Sequence, residues 1–155
     1  MIVGLISDTH GLVRASVHTA FAGVDLILHA GDVGGDEILD ELALIAPVTA
    51  VFGNTDASDD PRLTAAIERT IEGVRIHVSH GHEVGSPTPT RLLGRYPADV
   101  IVYGHTHRQL VVRADGRLVV NPGAAGARRF KLEPSVARLT ITNGNAEVEI
   151  VELTE

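Results

Sequence analysis

The chain of 155 residues contains no cysteine and no tryptophan, and aromatic residues make up only 3% of it. Without cysteine there can be no disulfides, thiolate zinc sites, iron–sulfur clusters or cysteine nucleophiles. The same absence fits a reducing compartment. Scarce aromatics leave little for base stacking or sugar platforms. Cations are outnumbered, with 13 Lys+Arg against 20 Asp+Glu and a formal charge of −7. An extended nucleic-acid surface needs clustered Lys and Arg and is not expected. Long apolar runs are also missing. The longest, Leu42 to Phe52, is broken by Pro47 and Thr49 and falls short of the ~20 residues that span a bilayer. Met1 to Asp8 has no basic segment of a secretory leader. These features predict a soluble, cytoplasmic protein with no membrane partner. The length and a hydrophobic content of 44% suit one domain, residues 1–155, with a sizeable core.

Several segments read as buried strands or helices. Ile2 to Ile6, Leu26 to Leu28 and Val48 to Phe52 are short continuous apolar runs, the pattern of strands covered on both faces. Between them, Val13 to Phe21 and Asp36 to Ile45 read as helices. The second has Ile38, Leu39, Leu42 and Ile45 at helical spacing, Asp36 as a candidate N-cap and Pro47 as a stop. Alternating strands and helices predict a parallel sheet. Farther on, Thr70 to Ser79 alternates around Gly73 as a hairpin, Arg91 to Leu93 suggests a short helix, and Val100 to Tyr103 another strand. Asp115-Gly116 and Asn143-Gly144 mark two more hairpins. The expected whole is α/β, with two stacked mixed sheets flanked by helices.

Five polar motifs follow predicted strands directly: Asp8-Thr9-His10, Gly31-Asp32, Gly53-Asn54, His80-Gly81-His82 and Gly104-His105-Thr106-His107. Ligands of open α/β sheets bind beyond the carboxyl ends of the strands, so these tips are expected to converge. Their oxygen and imidazole donors suit Mn²⁺, Fe²⁺, Co²⁺, Ni²⁺ or Zn²⁺. On an extended segment, residues two apart share a side, which would let Asp-x-His and His-x-His each offer two ligands. Glycines before Asp32, Asn54 and His105 would allow sharp turns and close approach. One Gly-His-x-His string arises by chance in roughly 4% of shuffles of this composition. Five such motifs in order, each after a strand, are far more specific.

Those motifs resemble the calcineurin-like metallophosphoesterase superfamily, whose fingerprint runs Asp-x-His, Gly-Asp, Gly-Asn, His and Gly-His-x-His. The phrases Ser7 to Gly11, His29 to Asp32, His80 to His82, Tyr103 to His107 and Asn121-Pro122-Gly123 are similar to its small bacterial and archaeal phosphodiesterase branch. The resemblance covers Met1 to about Gly126. It implies a four-layer αββα sandwich and two divalent metal ions, Mn²⁺ foremost. Matched by position, Asp8, His10 and His107 would hold the first ion and Asn54, His80 and His105 the second, with Asp32 bridging. Such a pair would lower the pKa of a bridging water, whose hydroxide attacks phosphorus in line. The implied substrate is a small phosphate ester, a diester before a monoester. Asn54 would also bond the phosphate. Many members carry His directly after Gly-Asn, where it protonates the leaving group. Thr55 stands here instead, so that role falls to another group, with His82 a candidate.

Plainer roles compete at each position. Asp8 and Asp32 could cap helices, and Asn54 sits in good turn chemistry. His18 and His77 read as solvated or packed residues. His29 precedes a ligand turn and could hold a carboxylate or backbone group, while His82 could be a ligand neighbour, a proton donor or an orienting group. Asn121-Pro122-Gly123 reads as support. Arg128, Arg129 and Lys131 suit a solvated loop or, alternatively, substrate steering. Two other functions compete. One is a non-catalytic protein-binding scaffold of the same fold, like the small retromer subunit, which lacks a full ligand set. The other is a dinuclear iron redox protein, against which the lack of a flavin or nicotinamide fingerprint counts. Exposed hairpin edges leave room for a homodimer.

Overall fold

Strand β1 (Ile2–Ile6) is apolar on both faces because it feeds two cores. Val3 and Leu5 enter the space between two sheets, whereas Ile6 enters a second cluster against helices. Strand β2 (Leu26–His29) repeats the pattern, with Leu26 and Leu28 inward and Ile27 outward. A computed structural model describes residues 1–129 and 131–154 of the chain in this way. Helices α1 (Ala15–Ala20) and α2 (Asp36–Ala43) lie over the outer face. They bury Val17, Ile38, Leu39 and Leu42 there.

The first sheet runs β11-β10-β1-β2-β3-β4, with β3 at Val48–Val51, β4 at Leu63–Thr64, β10 at Ser135–Thr142 and β11 at Asn145–Glu152. Strands β1 to β4 are parallel, and β10 joins β1 antiparallel. The second sheet runs β5-β6-β7-β9-β8: β5 is Ile67–Ile71, β6 Val74–Val78, β7 Val100–Val102, β8 Leu110–Ala114 and β9 Arg117–Asn121. Here β6, β7 and β9 are parallel, and the hairpins β5–β6 and β8–β9 are antiparallel. Ile101 and Val119 turn outward onto helix α3 (Pro89–Arg95), whose Leu92 is buried. Both sheets are mixed and helices cover both outer faces, giving the four layers expected.

Local differences have physical causes. Helix α2 stops at Ala43, two residues early, and its N-cap is Gly35, not Asp36. Asp36 and Glu37 sit in the first helical turn, where carboxylates complement the partial positive charge of the helix start. Helix α3 is longer than expected because Thr88 caps it, its side chain accepting from the Arg91 N–H, and Pro89 opens it. The two-residue β4 and a single 3₁₀ turn at His82–Val84 are too short to leave a periodic trace. No helix among the described residues is long and apolar enough to cross a membrane.

Candidate metal centre

All five polar motifs lie just beyond the carboxyl ends of β1, β2, β3, β6 and β7. The first three are neighbours in one sheet and the last two in the other, so the tips face one another across the sandwich. The loops are not extended, contrary to the simple alternation argument. Asp8, His10, Asp32, His105 and His107 all have positive φ, between 46° and 74°. Among non-glycine residues Asn, Asp and His bear this conformation most readily, yet it still costs on the order of 1 kcal/mol each. Among the described residues, the remaining non-glycine positions with positive φ are Glu72, Asp115 and Asn143, in hairpin turns. Strain outside hairpins is therefore concentrated on the donor residues.

Two glycines make the close approach possible. A Cβ on Gly53 would stand 2.1 Å from Asp32 Oδ1, and one on Gly104 would stand 2.0 Å from Ser7 Oγ and 2.7 Å from Asp8 Oδ2. Each central carboxylate has one oxygen tied to the loops and one turned inward. Asp8 Oδ2 accepts from Ser7 Oγ (2.8 Å) and from the His105 N–H (3.2 Å). Asp32 Oδ1 accepts from the Thr55 N–H (2.9 Å). The other oxygens turn toward the imidazoles. Asp8 Oδ1 lies 3.4 Å from His107 Nε2, 3.8 Å from His10 Nε2 and 3.9 Å from His80 Nε2. Asp32 Oδ2 lies 3.3 Å from His80 Nε2 and 3.6 Å from His10 Nε2.

Donor atoms of Asp8, His10 and His107 lie within 4.8 Å of one another, and so do those of Asp8, Asp32 and His80. The two groups share Asp8, while Asp32 reaches both His10 and His80. Asn54 lies beside the second group, its Oδ1 3.0 Å from His80 Nε2 and 3.1 Å from His105 Nδ1. Asp8 Oδ1 is buried yet accepts no hydrogen bond. An anionic oxygen without a partner in the interior costs several kcal/mol unless a cation neutralises it. Oxygen and imidazole donors around such an atom fit a divalent first-row metal.

Ionisation follows the same geometry. Burial lowers the basicity of His80, but its contact with Asp32 and the charges of Asp8 and Asp32 outweigh that and raise its pKa. Its Nδ1 faces the Ala30 carbonyl at 2.8 Å, so both ring nitrogens meet acceptors. Burial would raise the Asp32 pKa, yet the His80 contact and the Thr55 N–H hold it well below the usual carboxylate range. Desolvation lowers His10, partly offset by Asp32 and Asp8. His105 is lowered by desolvation and by the charge of His80.

His82 belongs to neither donor group. Its ring lies 5.4 Å from that of His80 and 6.4 Å from that of His105, beside the second group, with a buried Nδ1 that makes no hydrogen bond and lies 3.9 Å from Glu83 Oε1. His29 is fully buried beneath the loops. Its Nδ1 accepts from the Gly31 N–H (3.0 Å), which leaves Nε2 to donate to Thr9 Oγ1 (2.9 Å), and that hydroxyl donates to the Val33 carbonyl (2.7 Å). Burial drives the His29 pKa down to about 4 against the pull of Asp8 and Asp56, so the ring stays neutral. Asn121 supports the last motif, donating to the Gly104 carbonyl (3.2 Å) and Thr106 Oγ1 (3.0 Å). His18 pairs with Glu41 at the surface. His77 is buried between Glu68 and Ser79, outside the centre. Arg128 is paired with Glu133, whereas the charge of Arg129 reaches His10. The supporting roles of Ser7, Thr9 and Asp56 had no pattern of their own in the sequence, although each lies within one of the motifs or beside it.

The calcineurin-like phosphoesterase superfamily domain matches residues 1–144. A probable metallophosphoesterase of Methanothermobacter thermautotrophicus is 37% identical over 159 residues, covering 97% of this chain and 92% of that protein. A phosphodiesterase of Methanocaldococcus jannaschii is 27% identical over 140 residues, or 79% of this chain and 83% of that one. Vacuolar protein sorting 29 of Cryptosporidium parvum has the same fold, with a TM-score of 0.80 at 23% identity, covering 99% of this chain and 98% of that structure. With its fingerprint motifs gathered at one end of a four-layer sandwich, the chain belongs to the calcineurin-like phosphoesterase superfamily.

Proposed function

We propose that the protein is a dinuclear metal-dependent phosphodiesterase acting on a small phosphate ester, with Mn²⁺ the preferred ion. The observation that carries this reading is the buried, unpartnered Asp8 Oδ1 with three imidazole nitrogens within 3.9 Å. When bound, a pair of divalent ions supplies an activated water as nucleophile and positive charge for the phosphoryl oxygens. The chain provides the rest. Asp8, His10 and His107 would hold one ion and Asn54, His80 and His105 the other, with Asp32 shared. His80 must release its Nε2 proton to become a ligand, so ion uptake at that side is accompanied by proton release. Asn54 is exposed, and its amide N–H₂ would orient the phosphate. Thr55 cannot serve as a general acid, and His82, beside the second side, is the group we assign to protonate the leaving oxygen.

Hydrolysis of bis-p-nitrophenyl phosphate by chelator-stripped protein reloaded with Mn²⁺ tests the reading. Activity that depends on added metal, and loss of both metal content and hydrolysis in Asp32→Asn, are the expected results. Full metal occupancy with no hydrolysis of any phosphodiester would favour a protein-binding scaffold instead.

A further inference from the structure

Asp32 and Asn54 reach the centre on separate loops, after β2 and after β3. Whether they can serve one ion depends on how far apart those loops stand. One side chain spans the gap. The Asp56 carboxylate accepts hydrogen bonds from the N–H groups of Val33 (3.0 Å), Gly34 (3.2 Å) and Gly53 (2.9 Å). Val33 directly follows Asp32, and Gly53 directly precedes Asn54. In the opposite direction, the Thr55 N–H donates to Asp32 Oδ1 (2.9 Å). Each loop therefore offers a carboxylate to the backbone of the other. Strands β2 and β3 end at His29 and Val51, before any of these contacts, so the clamp holds the loops and not the sheet. Among the described residues, no hydrogen bond joins the Asp56 side chain to Asp8, His10 or His107.

We infer that Asp56 is a positioning residue for the second metal position. The Asp32 loop is held to the first side independently, its Asp32 and Val33 carbonyls accepting from the His10 and Gly11 N–H groups (both 3.0 Å), so Asp56 chiefly fixes the Asn54 loop against it and sets the affinity of the Asn54, His80 and His105 side. A carboxylate suits this task because its two oxygens together accept three or more N–H groups. A carboxamide keeps one accepting oxygen and sets an NH₂ against the remaining backbone donors. The inference rests on the two-ion reading above.

Full-length protein stripped by chelator and titrated with Mn²⁺ by calorimetry, with electron paramagnetic resonance in parallel, provides the test. Wild type is expected to take two ions and show an exchange-coupled spectrum. Asp56→Ala should bind the first ion as wild type does and the second at least tenfold more weakly, with uncoupled Mn²⁺ at one equivalent per chain. Asp56→Asn should fall between the two. Asp59→Ala, which removes an exposed carboxylate of equal charge, should match wild type. Two ions bound by Asp56→Ala as in wild type would overturn the inference, as would equal weakening of both ions. If Asp56→Ala does not fold, an unchanged second ion in Asp56→Asn overturns it. Uptake of a single ion by wild type would refute the two-ion reading and the inference with it, and only that outcome is read without any variant.

Discussion

Replacing His29 with Asn should flatten the acid dependence of folding in a measurable way. His29 stays neutral in the folded chain down to a pKa of about 4, because burial disfavours the imidazolium. An unfolded histidine titrates near 6.5. Between those values the unfolded chain binds more protons than the folded one, so stability falls as the pH drops through the window. Linkage gives a loss of about 2 kcal/mol by pH 5 and about 3 kcal/mol by pH 4, with almost nothing above pH 7. At neutral pH, His29→Asn should be the less stable protein by about 2–4 kcal/mol. It loses the bond to Thr9 Oγ1 and leaves space under the donor loops. Toward pH 5 the gap should close by about 2 kcal/mol, because only wild type carries the buried ring that must be charged. Urea unfolding of both chelator-stripped proteins at pH 7, 6 and 5 measures this directly. A gap constant within about 0.5 kcal/mol over that range would refute the account of His29 as a neutral, doubly hydrogen-bonded strut.

Three further outcomes can be checked. Asn121→Asp preserves shape and the bond from the Gly123 N–H but removes the donor to the Gly104 carbonyl; denaturant titration should show a loss of about 2–4 kcal/mol, and a loss below about 0.5 kcal/mol would count against that role. Gly104→Ala places a methyl group into Ser7 Oγ and Asp8 Oδ2, so metal-dependent hydrolysis should drop at least tenfold while far-ultraviolet circular dichroism keeps the native shape. Because His82 is assigned the proton donation that Thr55 cannot make, His82→Ala should slow alkyl phosphodiesters more than matched aryl ones, and equal losses on both would contradict this.

The strands that build the floor of the centre were legible because they are buried on both faces. Residues such as Ile2 to Ile6 and Val100 to Val102 must be apolar throughout, whatever lies at their ends. The hairpin turns were legible because Glu72-Gly73, Asp115-Gly116 and Asn143-Gly144 satisfy a backbone need for positive φ. The donors were legible by type and order. Their conformation was not, since nothing in Asp-x-His distinguishes an extended segment from one whose first and third residues are left-handed. Among the supporting groups, His29 and Asn121 were legible as support but not by partner, and Asp56 was not legible at all. His29, Asn121 and Asp56 act through backbone N–H and carbonyl groups, which every sequence supplies, so their partners emerge only once the loops are placed side by side. Helix α2 failed at its ends for a related reason: Asp36 is a good cap by composition, but Gly35, with φ of 137°, takes the position.

The five donor loops belong to two different sheets, and each proposed ion draws on both. Asp8 and His10 follow β1 while His107 follows β7; Asn54 follows β3 while His80 and His105 follow β6 and β7. A cation held there fastens one layer of the sandwich to the other at its rim. Its binding energy then adds to the cohesion of the inter-sheet core, so metal starvation would be felt as premature parting of the layers, well away from any chemistry at phosphorus.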